Sequence, residues 1–298
     1  MILCADWGTS SLRLRLVDPD TETVVSEVSS ERGIAGTYAG VKGSRLLYFQ
    51  EVLLDVIHSL DTPVQGLPLV LSGMASSNIG MLELPYAPLP FLTDGSTLLA
   101  QVIEAEGAFP HRTLLVSGVS GPREVLRGEE TQLVGCPPVA GARLFVFPGT
   151  HSKHIYVEGP QALWFATYMT GEFFSLLSRN SLLAGSVAPG SVDWLSPFSS
   201  GVADSLQGSL LRTAFWVRTN RLLSGMSPED NYHYLSGLVI GSELKELRGL
   251  GMPLTIVAGK PQLGYYLAAL EILGLSGDAQ DAALATVRGQ SRIYRRYA

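Results

Sequence analysis

The stretch Ala5–Asp18, ADWGTSSLRLRLVD, decides the interpretation of the fold. It follows an apolar start and places a single carboxylate, Asp6, just before a turn of small residues, Gly8–Ser10. After the turn, leucines alternate with two arginines, and this period of two is typical of a half-buried strand. The stretch therefore predicts a β-hairpin that carries an acid and small hydroxyl residues at its tip.

A second stretch, residues 144–157 (LFVFPGTHSKHIYV), repeats this pattern near the middle of the chain. Aligning the two glycines, Gly8 and Gly149, also aligns the threonines that follow them. Phe147 stands where the first stretch has Asp6, so the second turn lacks the acid. The pattern predicts a weak internal repeat of two related domains, although two such turns can also match by chance.

Both turns carry groups that can bind phosphate. Such binding needs exposed backbone N–H groups, small side chains and hydroxyl donors. The candidate residues are Gly8, Thr9, Ser10, Ser11, Gly149, Thr150 and Ser152. A carboxylate at a strand end can hold Mg²⁺, largely through water, and Asp6 fits that role. From the first turn alone, a surface hairpin with a capping aspartate is the favoured interpretation, and phosphate binding is the alternative.

Composition argues against several classes of protein. The 298 residues are 46% apolar and carry a net charge of −6, which suits two domains with full cores and disfavours a nucleic-acid partner. The start has no signal-peptide pattern, no apolar stretch is long enough to span a membrane, and Cys4 and Cys136 form no CxxC motif. We expect a cytoplasmic protein without a membrane partner, and its low charge and apolar content are compatible with a homodimer.

The hydrophobic periodicity predicts a mixed α/β chain with hairpins in addition to crossovers. Strands are predicted at residues 2–5, 12–17, 67–73, 113–118, 143–157 (two strands and a turn) and 253–259. Helices are predicted at residues 44–60, 170–183, 201–223, 229–248, 261–274 and 278–290. The P-loop motif and the GxGxxG motif are absent from the sequence, so neither of those nucleotide-binding folds is predicted.

Three further segments concentrate small and polar residues. They are residues 72–86 (SGMASSNIGMLELPY), 123–135 (REVLRGEETQLVG) and 167–174 (TYMTGEFF). Each segment taken alone is interpreted as a loop with a helix cap. In the third, for example, Thr170 could cap a helix and Glu172 could favour its N-terminus.

Taken together, these segments resemble the 2-dehydro-3-deoxygalactonokinase family. The similarity is carried by DWGTSSLR, SGMASSNIG with ELPYAPLP, VLRGEETQLVG, FPGTHSKH, TYMTGEFFSLL, LSGLVIGSEL and GDAQDAALATVRG, in this order from residue 6 to about residue 289. The family belongs to the superfamily of sugar kinases, hsp70 and actin. The resemblance implies an α/β fold of two RNase-H-like (actin-like ATPase) domains, residues 1–140 and 141–298, with an active-site cleft between them. The last helix is expected to pack back on the first domain.

The resemblance also implies site residues, with Asp6 near Mg²⁺ and both turns near the phosphates of ATP. The implied cofactor-binding residues are Gly8, Thr9, Ser10, Gly149, Thr150, His151, Ser152, Gly237, Gly241, Gly259 and Lys260, of which the last four belong to the adenosine side. The implied substrate-binding residues are Ser72, Ala75, Ser76, Ser77, Asn78, Arg127, Thr170, Gly171 and Glu172.

One of two adjacent acids, Glu129 and Glu130, is implied as the general base. Their segment is similar in position to the one in which glycerol and xylulose kinases have an aspartate at a helix start. Arg127 would keep that carboxylate ionised or bind the carboxylate of the substrate. The sequence does not distinguish between the two glutamates, and a salt-bridged helix start is the structural alternative.

The activity that the resemblance implies is ATP- and Mg²⁺-dependent 6-phosphorylation of 2-dehydro-3-deoxy-D-galactonate, in galactonate catabolism. Two alternatives remain open. A kinase for another sugar acid, such as 2-dehydro-3-deoxygluconate, would differ only in the direction of one substrate hydroxyl group. A non-catalytic nucleotide or sugar sensor on the same fold predicts loss of the acids, whereas Asp6, Glu129 and Glu130 are all present.

Overall fold

The computed structural model describes residues 1–190 and 193–298. By its internal contacts the chain divides into two compact units. Unit 1 comprises Met1–Gly141, Tyr156–Phe165 and Ala282–Ala298, and unit 2 comprises Ala142–Ile155 and Ala166–Asp281. The C-terminal segment therefore belongs to unit 1, as does a short middle segment that the sequence does not single out.

Strands and helices alternate irregularly along the chain. The strands are β1 (Ile2–Trp7), β2 (Leu12–Asp18), β3 (Thr23–Ser30), β4 (Leu69–Gly73), β5 (Ala87–Pro88), β6 (Phe91–Leu92), β7 (Ala100–Ile103), β8 (Thr113–Val116), β9 (Val119–Ser120), β10 (Val125–Leu126), β11 (Ala142–Phe147), β12 (Ser152–Glu158), β13 (Gln161–Tyr168), β14 (Leu254–Ala258) and β15 (Gly277–Asp281). The α-helices are α1 (Ile34–Ala39), α2 (Arg45–Ile57), α3 (Glu129–Gly135), α4 (Thr170–Arg179), α5 (Leu195–Asp204), α6 (Leu210–Thr213), α7 (Trp216–Thr219), α8 (Pro228–Leu244), α9 (Lys260–Ile272) and α10 (Ala282–Tyr294).

The main sheet of unit 1 has the strand order β3-β2-β1-β4-β8-β7. Strand β1 lies inside this sheet, antiparallel to β2 and parallel to β4, which explains why its residues form an almost continuous buried apolar run. The hairpin that the sequence predicts between β1 and β2 is confirmed. At the end of β1, Asp6 stands opposite Arg13 on β2 and Ser72 on β4.

Helix α2 covers the core of unit 1. The rings of Trp7 on β1 and Phe49 on α2 lie 5.2 Å apart in the core.

Helix α3 packs closely on the C-terminal helix α10. A Cβ atom on Gly135 would lie 1.8 Å from the carbonyl oxygen of Ala285, so only glycine lets α3 and α10 approach this closely. The C-terminal helix thereby fixes the position of α3, which begins with Glu129. A small sheet of order β10-β9-β5 also lies in unit 1.

The second large sheet has the strand order β15-β14-β11-β12-β13-β6. Strand β14 pairs in parallel with both β11 and β15. The short strand β6 pairs with Gln161 and Ala162 at the start of β13, within unit 1. In unit 2 the 17-residue helix α8 packs on α5. No helix in the described parts of the chain combines the length and the apolar character needed to cross a bilayer.

Two of the predicted helices are wrong in their extent. The helix predicted at 201–223 begins earlier, at Leu195, and after Asp204 the chain continues as short helical turns around an extended residue, Gly208. The helix predicted at 278–290 begins only at Ala282, because Gly277–Asp281 forms the largely exposed edge strand β15, which has no apolar alternation. The remaining predicted elements are present with ends shifted by a few residues.

Candidate active site

The first turn (Gly8–Ser10) rests on the start of α1. The turn closes through a hydrogen bond in which the N–H of Gly8 donates to the carbonyl oxygen of Ser11, with N···O 2.9 Å. The N–H groups of Ile34 and Ala35 donate to two carbonyl oxygens of the turn, at 3.0 and 3.2 Å. The side chains of the last two turn residues are exposed, so their hydroxyl groups are accessible to a ligand.

Gly33, directly before α1, makes this contact possible. A Cβ atom on Gly33 would lie 2.3 Å from the carbonyl oxygen of Thr9 and 2.3 Å from the carbonyl carbon of Ser10, closer than real atoms approach. In contrast, a Cβ atom on Gly36, inside the same helix, would have no atom within 4 Å. The absence of a side chain at Gly33 therefore allows the helix start to hold the turn.

Asp6 lies at the end of β1, just before this turn, and its side chain is 23% exposed. Burial raises the pKa of its carboxyl group, and the nearby guanidinium groups of Arg15 and Arg13 oppose that shift. Nη1 of Arg13 lies 4.0 Å from Asp6 Oδ2. Gly73, at the end of β4, has φ +85°, and a Cβ atom there would lie 3.2 Å from Asp6 Oδ1. The carboxylate is therefore confined between two strand ends.

Helix α3 begins beside this acid. A Cβ atom on Gly128, at its N-cap, would lie 3.6 Å from the Cα atom of Gly73, the glycine whose own added Cβ atom would lie 3.2 Å from Asp6 Oδ1. The positive φ of 108° at Gly128 turns the chain into the helix at this point. The structure thus brings together, within unit 1, the acid of the first hairpin and the Glu129–Glu130 pair.

The two glutamates have different environments. Glu130 is 1% exposed, and its two carboxylate oxygens accept hydrogen bonds from the N–H of Gly128 at 2.7 Å and from the hydroxyl of Thr131 at 2.9 Å. Burial and the charge of Glu129 raise the pKa of Glu130 to about 7, against the effect of these hydrogen bonds. Glu129 is half-buried, and its Oε2 accepts a hydrogen bond from the backbone N–H of Arg127 at 3.1 Å.

The guanidinium group of Arg127 is held in one orientation. Its Nη1 donates to the carbonyl oxygen and the hydroxyl of Ser76, at 2.6 and 2.8 Å, and its Nε donates to the hydroxyl of Tyr86 at 3.1 Å. The group also lies 4.1 Å from the centre of the Tyr86 ring. Tyr86 lies in a segment that the sequence singles out, yet it was not proposed there as a site residue.

Only part of the segment 72–86, which begins at the end of β4, is available to a substrate. Ser72 is buried, and its Oγ accepts a hydrogen bond from Nε2 of Gln290 at 2.9 Å. Ala75 is fully buried in the apolar core, and this corrects its assignment to the substrate side. Ser77 is buried and its hydroxyl group has no hydrogen-bond partner within the described residues. Asn78 is exposed, and its carbonyl oxygen accepts a hydrogen bond from Arg45.

The second turn (Gly149–His151) is built in the same way as the first. Helix α4 begins beneath it, and the N–H of Glu172 donates to the carbonyl oxygen of Thr150 at 3.0 Å. A Cβ atom on Gly171 would lie 2.6 Å from the carbonyl oxygen of Gly149, so glycine is required here as it is at Gly33. The similar support of the two turns strengthens the internal repeat that the sequence predicts. His151 also contacts Glu172, with Nε2···Oε2 2.5 Å.

The hydroxyl groups of Ser152 and Thr170 point inward, and for Ser152, which does not line a described cavity wall, this corrects the assignment as a direct ligand contact. Ser152 is 0% exposed, and its Oγ lies 2.9 Å from the hydroxyl of Tyr266. The hydroxyl of Thr170 donates to Glu243 Oε2 at 2.5 Å. Both hydroxyl groups are therefore held by protein partners behind the second turn.

A cavity of about 280 Å³ adjoins the second turn within unit 2. Its walls are mainly apolar and aromatic, with a few polar groups, which is typical of small-molecule sites. The lining residues are Pro148, Gly149, Thr170, Gly171, Phe174, Ser236, Val239, Ile240, Gln262, Tyr265 and Tyr266. Most of these were not predicted individually, although six of them lie in the segments TYMTGEFFSLL and LSGLVIGSEL that the sequence singles out, and Gln262, Tyr265 and Tyr266 lie in the helix predicted at 261–274.

The adenosine-side assignments of Gly237 and Gly241 need correction, whereas those of Gly259 and Lys260 stay predictions. Gly237 and Gly241 face α5 and the turn after it: Cβ atoms there would lie 2.1 Å from the carbonyl oxygen of Phe198 and 2.5 Å from Ser205 Oγ. These glycines thus serve close helix packing. Gly259 is the N-cap of α9, and Lys260 is its exposed first residue.

The residues around Asp6 fit a magnesium ion that is held mostly by other ligands. Mg²⁺ commonly binds one or two carboxylates together with water and substrate phosphates. Asp6 offers one carboxylate of restricted solvent access beside the accessible hydroxyls of the first turn. Across residues 1–190 and 193–298, no group of three or more His, Cys, Asp or Glu side chains could hold a metal ion alone.

The fold is that of the actin-like ATPase and sugar kinase class. It is similar to that of the activator of the 2-hydroxyisocaproyl-CoA dehydratase from Clostridium difficile with bound ADPNP (TM-score 0.51, 12% identity, 98% of this chain and 93% of the other). It is also similar to a protein of Porphyromonas gingivalis assigned as an N-acetylglucosamine kinase (TM-score 0.50, 12% identity, 99% and 100% coverage).

Within that class, the chain belongs to the 2-keto-3-deoxy-galactonokinase family, whose sequence model matches residues 6–293. It is 32% identical to a Rhizobium meliloti protein assigned as a 2-dehydro-3-deoxygalactonokinase, over 97% of this chain and 95% of the other. Identity to the 2-dehydro-3-deoxygalactonokinase of Escherichia coli is 29%, over 91% and 90%. A crystal structure of a Sinorhizobium meliloti protein with the same assignment gives a TM-score of 0.81 at 29% identity, over 100% and 99%.

Proposed function

We propose that the chain is a 2-dehydro-3-deoxygalactonokinase that transfers the γ-phosphoryl group of ATP to the 6-hydroxyl of 2-dehydro-3-deoxy-D-galactonate. The observation that carries this proposal is the family match over almost the whole chain, with the acid-bearing turn and both glutamates of α3 present. In the transfer, the bond between the γ-phosphorus and its bridging oxygen breaks, the bond to O6 forms, and ADP leaves. The hydroxyl proton passes to a carboxylate.

The cavity of unit 2 is proposed to bind the adenosine part of ATP. Its aromatic walls, including Tyr265 and Phe174, suit a flat base, and Gln262 and Ser236 offer polar groups. The backbone of the second turn adjoins the cavity through Gly149 and is suited to phosphate oxygens. Because Thr170 and Gly171 line this cavity, we reassign them from the substrate to the nucleotide.

The first turn and Asp6 are proposed to act on the phosphate group that is transferred. The exposed hydroxyl groups of Thr9 and Ser10 would donate to phosphate oxygens, and Asp6 is the carboxylate that would hold Mg²⁺. When bound, Mg²⁺ neutralises the charge on the phosphate oxygens. The protein contributes a fixed geometry, because α1 holds the turn before any ligand arrives.

Glu129 is proposed as the general base. It is half-buried and accessible, whereas both carboxylate oxygens of Glu130 accept hydrogen bonds from the protein and the side chain is sealed from solvent. A base must reach the proton that it accepts. Glu130 then has a supporting role, since its hydrogen bond to Gly128 fixes the start of α3.

Arg127 is proposed to bind the carboxylate of the sugar acid. Its guanidinium group is held by Ser76 and Tyr86 before substrate binds, which lowers the entropy cost of binding. The hydroxyl group of Ser77, next to Ser76 in the chain, has no hydrogen-bond partner within the described residues, but it is buried and is therefore not assigned to the substrate. The association of two copies of this chain into a homodimer, which its composition allows, stays a prediction.

ADP release from ATP and Mg²⁺ in the presence of a panel of sugar acids tests the proposal. We expect turnover with 2-dehydro-3-deoxy-D-galactonate, and a clearly lower kcat/KM with the gluconate-derived epimer. Turnover of only another acid would retain the kinase mechanism and replace the substrate. Tight ATP binding with no turnover across the panel would contradict the kinase and favour a sensor.

The glycine beneath the first turn provides a matched pair of variants. Gly33→Ala is expected to raise the KM for ATP about 10-fold, because the added methyl group must displace the first turn, and overpacking of this kind costs typically about 1–3 kcal/mol. Gly36→Ala, in the same helix with open space around it, is expected to leave KM unchanged. Initial rates at varied ATP concentration measure this, and equal effects of the two variants would contradict the role of the turn.

A further inference from the structure

We propose that Glu243 is a positioning residue for nucleotide binding, acting through Tyr266, Thr170 and Ser152 on the second turn and the wall of the adjoining cavity. The inference rests on the proposed nucleotide site in unit 2. It concerns a buried carboxylate on α8 that takes no part in the phosphoryl transfer described above.

Three side chains from three different elements donate hydrogen bonds to this carboxylate. The hydroxyl of Tyr266 on α9 donates to Oε2 at 2.7 Å, and the hydroxyl of Thr170 at the start of α4 donates to the same oxygen at 2.5 Å. His154 on β12 donates from Nε2 to Oε1 at 2.8 Å. Glu243 is 3% exposed, and together with its own helix α8 it joins four elements of unit 2 at one point.

The hydrogen bonds have a definite direction. Tyr266 has one hydroxyl proton, which it uses in the hydrogen bond to Glu243. In the 2.9 Å contact between Ser152 and Tyr266, the serine hydroxyl must therefore be the donor and the tyrosine oxygen the acceptor. The oxygen of Ser152 then accepts the N–H of Gly149 at 3.4 Å. Burial and the charge of Glu243 raise the pKa of Tyr266 well above its usual value, which keeps that proton in place. The chain of donors runs from the second turn to Glu243.

This arrangement fixes groups that face the nucleotide. Tyr266 and Thr170 line the cavity, and Gly149 belongs both to the cavity wall and to the second turn. Without a strong acceptor behind them, the hydroxyl groups of Ser152 and Tyr266 would each have several orientations. A buried carboxylate rarely adds net stability compared with an apolar replacement. Its location therefore points to orientation of the nucleotide site.

Tyr266→Phe and Tyr234→Phe form a matched pair for the test. Both remove one hydroxyl group of a buried tyrosine that donates to a carboxylate in unit 2, and the Tyr234 hydroxyl donates to Asp204 at 2.7 Å. Tyr234 does not line the cavity. Calorimetric ATP binding without sugar acid, thermal midpoints, and the KM values for both substrates are measured for each variant and for the unaltered protein.

We expect Tyr266→Phe to weaken ATP binding about 5-fold, the usual effect of one lost hydrogen bond, while the KM for the sugar acid stays unchanged. Tyr234→Phe should lower the thermal midpoint without weakening ATP binding. Ser152→Ala should also weaken ATP binding, and the double variant Ser152→Ala/Tyr266→Phe should be no weaker than the more affected single variant, because both changes interrupt one chain.

Equal ATP affinities of Tyr266→Phe and Tyr234→Phe would overturn the inference, as would an equal rise in both KM values for Tyr266→Phe. Additive effects in the double variant would show that Ser152 and Tyr266 act separately, and would also overturn it. If the unaltered protein bound no ATP, the proposed function would fail first and the inference would fail with it. These outcomes are distinguishable because the unaltered protein is measured alone.

Discussion

Asp6→Asn is expected to lower kcat for phosphoryl transfer at least about 100-fold, since loss of a group that stabilises transition-state charge typically costs this much or more. The amide has nearly the same shape but cannot supply the negative charge that holds Mg²⁺. The KM for the sugar acid is expected to change little, because Arg127 is unaltered. The measurement is kcat at increasing Mg²⁺ concentration.

The same substitution is expected to stabilise the fold. Burial raises the pKa of the Asp6 carboxyl group, so its ionised form at neutral pH is less favourable in the folded than in the unfolded chain. A neutral amide removes this penalty, and the thermal midpoint should rise or stay equal while activity falls. Asp55→Asn is the control, since Asp55 is an exposed residue paired with Arg32 on the surface. A kcat of Asp6→Asn similar to that of this control would remove Asp6 from the mechanism.

Glu129→Gln is expected to lower kcat about 100-fold or more, the usual scale for loss of a general base. Glutamine retains the size and the acceptor for the backbone N–H of Arg127, but it cannot accept the proton of the 6-hydroxyl. The KM values for ATP and the sugar acid are expected to stay within a few-fold of the unaltered values. Steady-state kinetics with both substrates varied measure the two effects separately.

Glu130→Gln distinguishes the two glutamates. With a pKa of about 7, Glu130 is partly protonated at neutral pH, and glutamine resembles that neutral form. We therefore expect a loss of kcat well below that of Glu129→Gln. Exposed Glu51 on α2 provides a neutral control as Glu51→Gln. If Glu130→Gln lost more activity than Glu129→Gln, the assignment of the base would be reversed.

Local sequence patterns predicted much of the fold and one part of the site. The alternation in β2 and the apolar run of β1 predicted the first hairpin, because the backbone period determines which side chains are buried. The acid at the strand end, Asp6, and the accessible turn were recognised from residue type alone. Strand β15 was missed, since an edge strand with exposed polar side chains has no hydrophobic period.

The rest of the site depends on contacts between residues far apart in the chain. Nothing in the local sequence shows that the missing side chain of Gly33 makes room for Thr9, or that Gly237 is needed for contact with α5. The partners of Glu243 come from three elements other than its own helix. Conversely, Ser152 was assigned to phosphate because of its residue type, and only tertiary structure shows that its hydroxyl group points inward.

The supported turns have a consequence for protein engineering. Each Gly-Thr turn acts together with a helix start that follows it at a distance along the chain, at Gly33 for the first and Gly171 for the second. A graft of the turn sequence alone onto another hairpin would therefore lack the support that defines its shape. The smallest transferable module is the strand, the turn and the distant glycine with its helix.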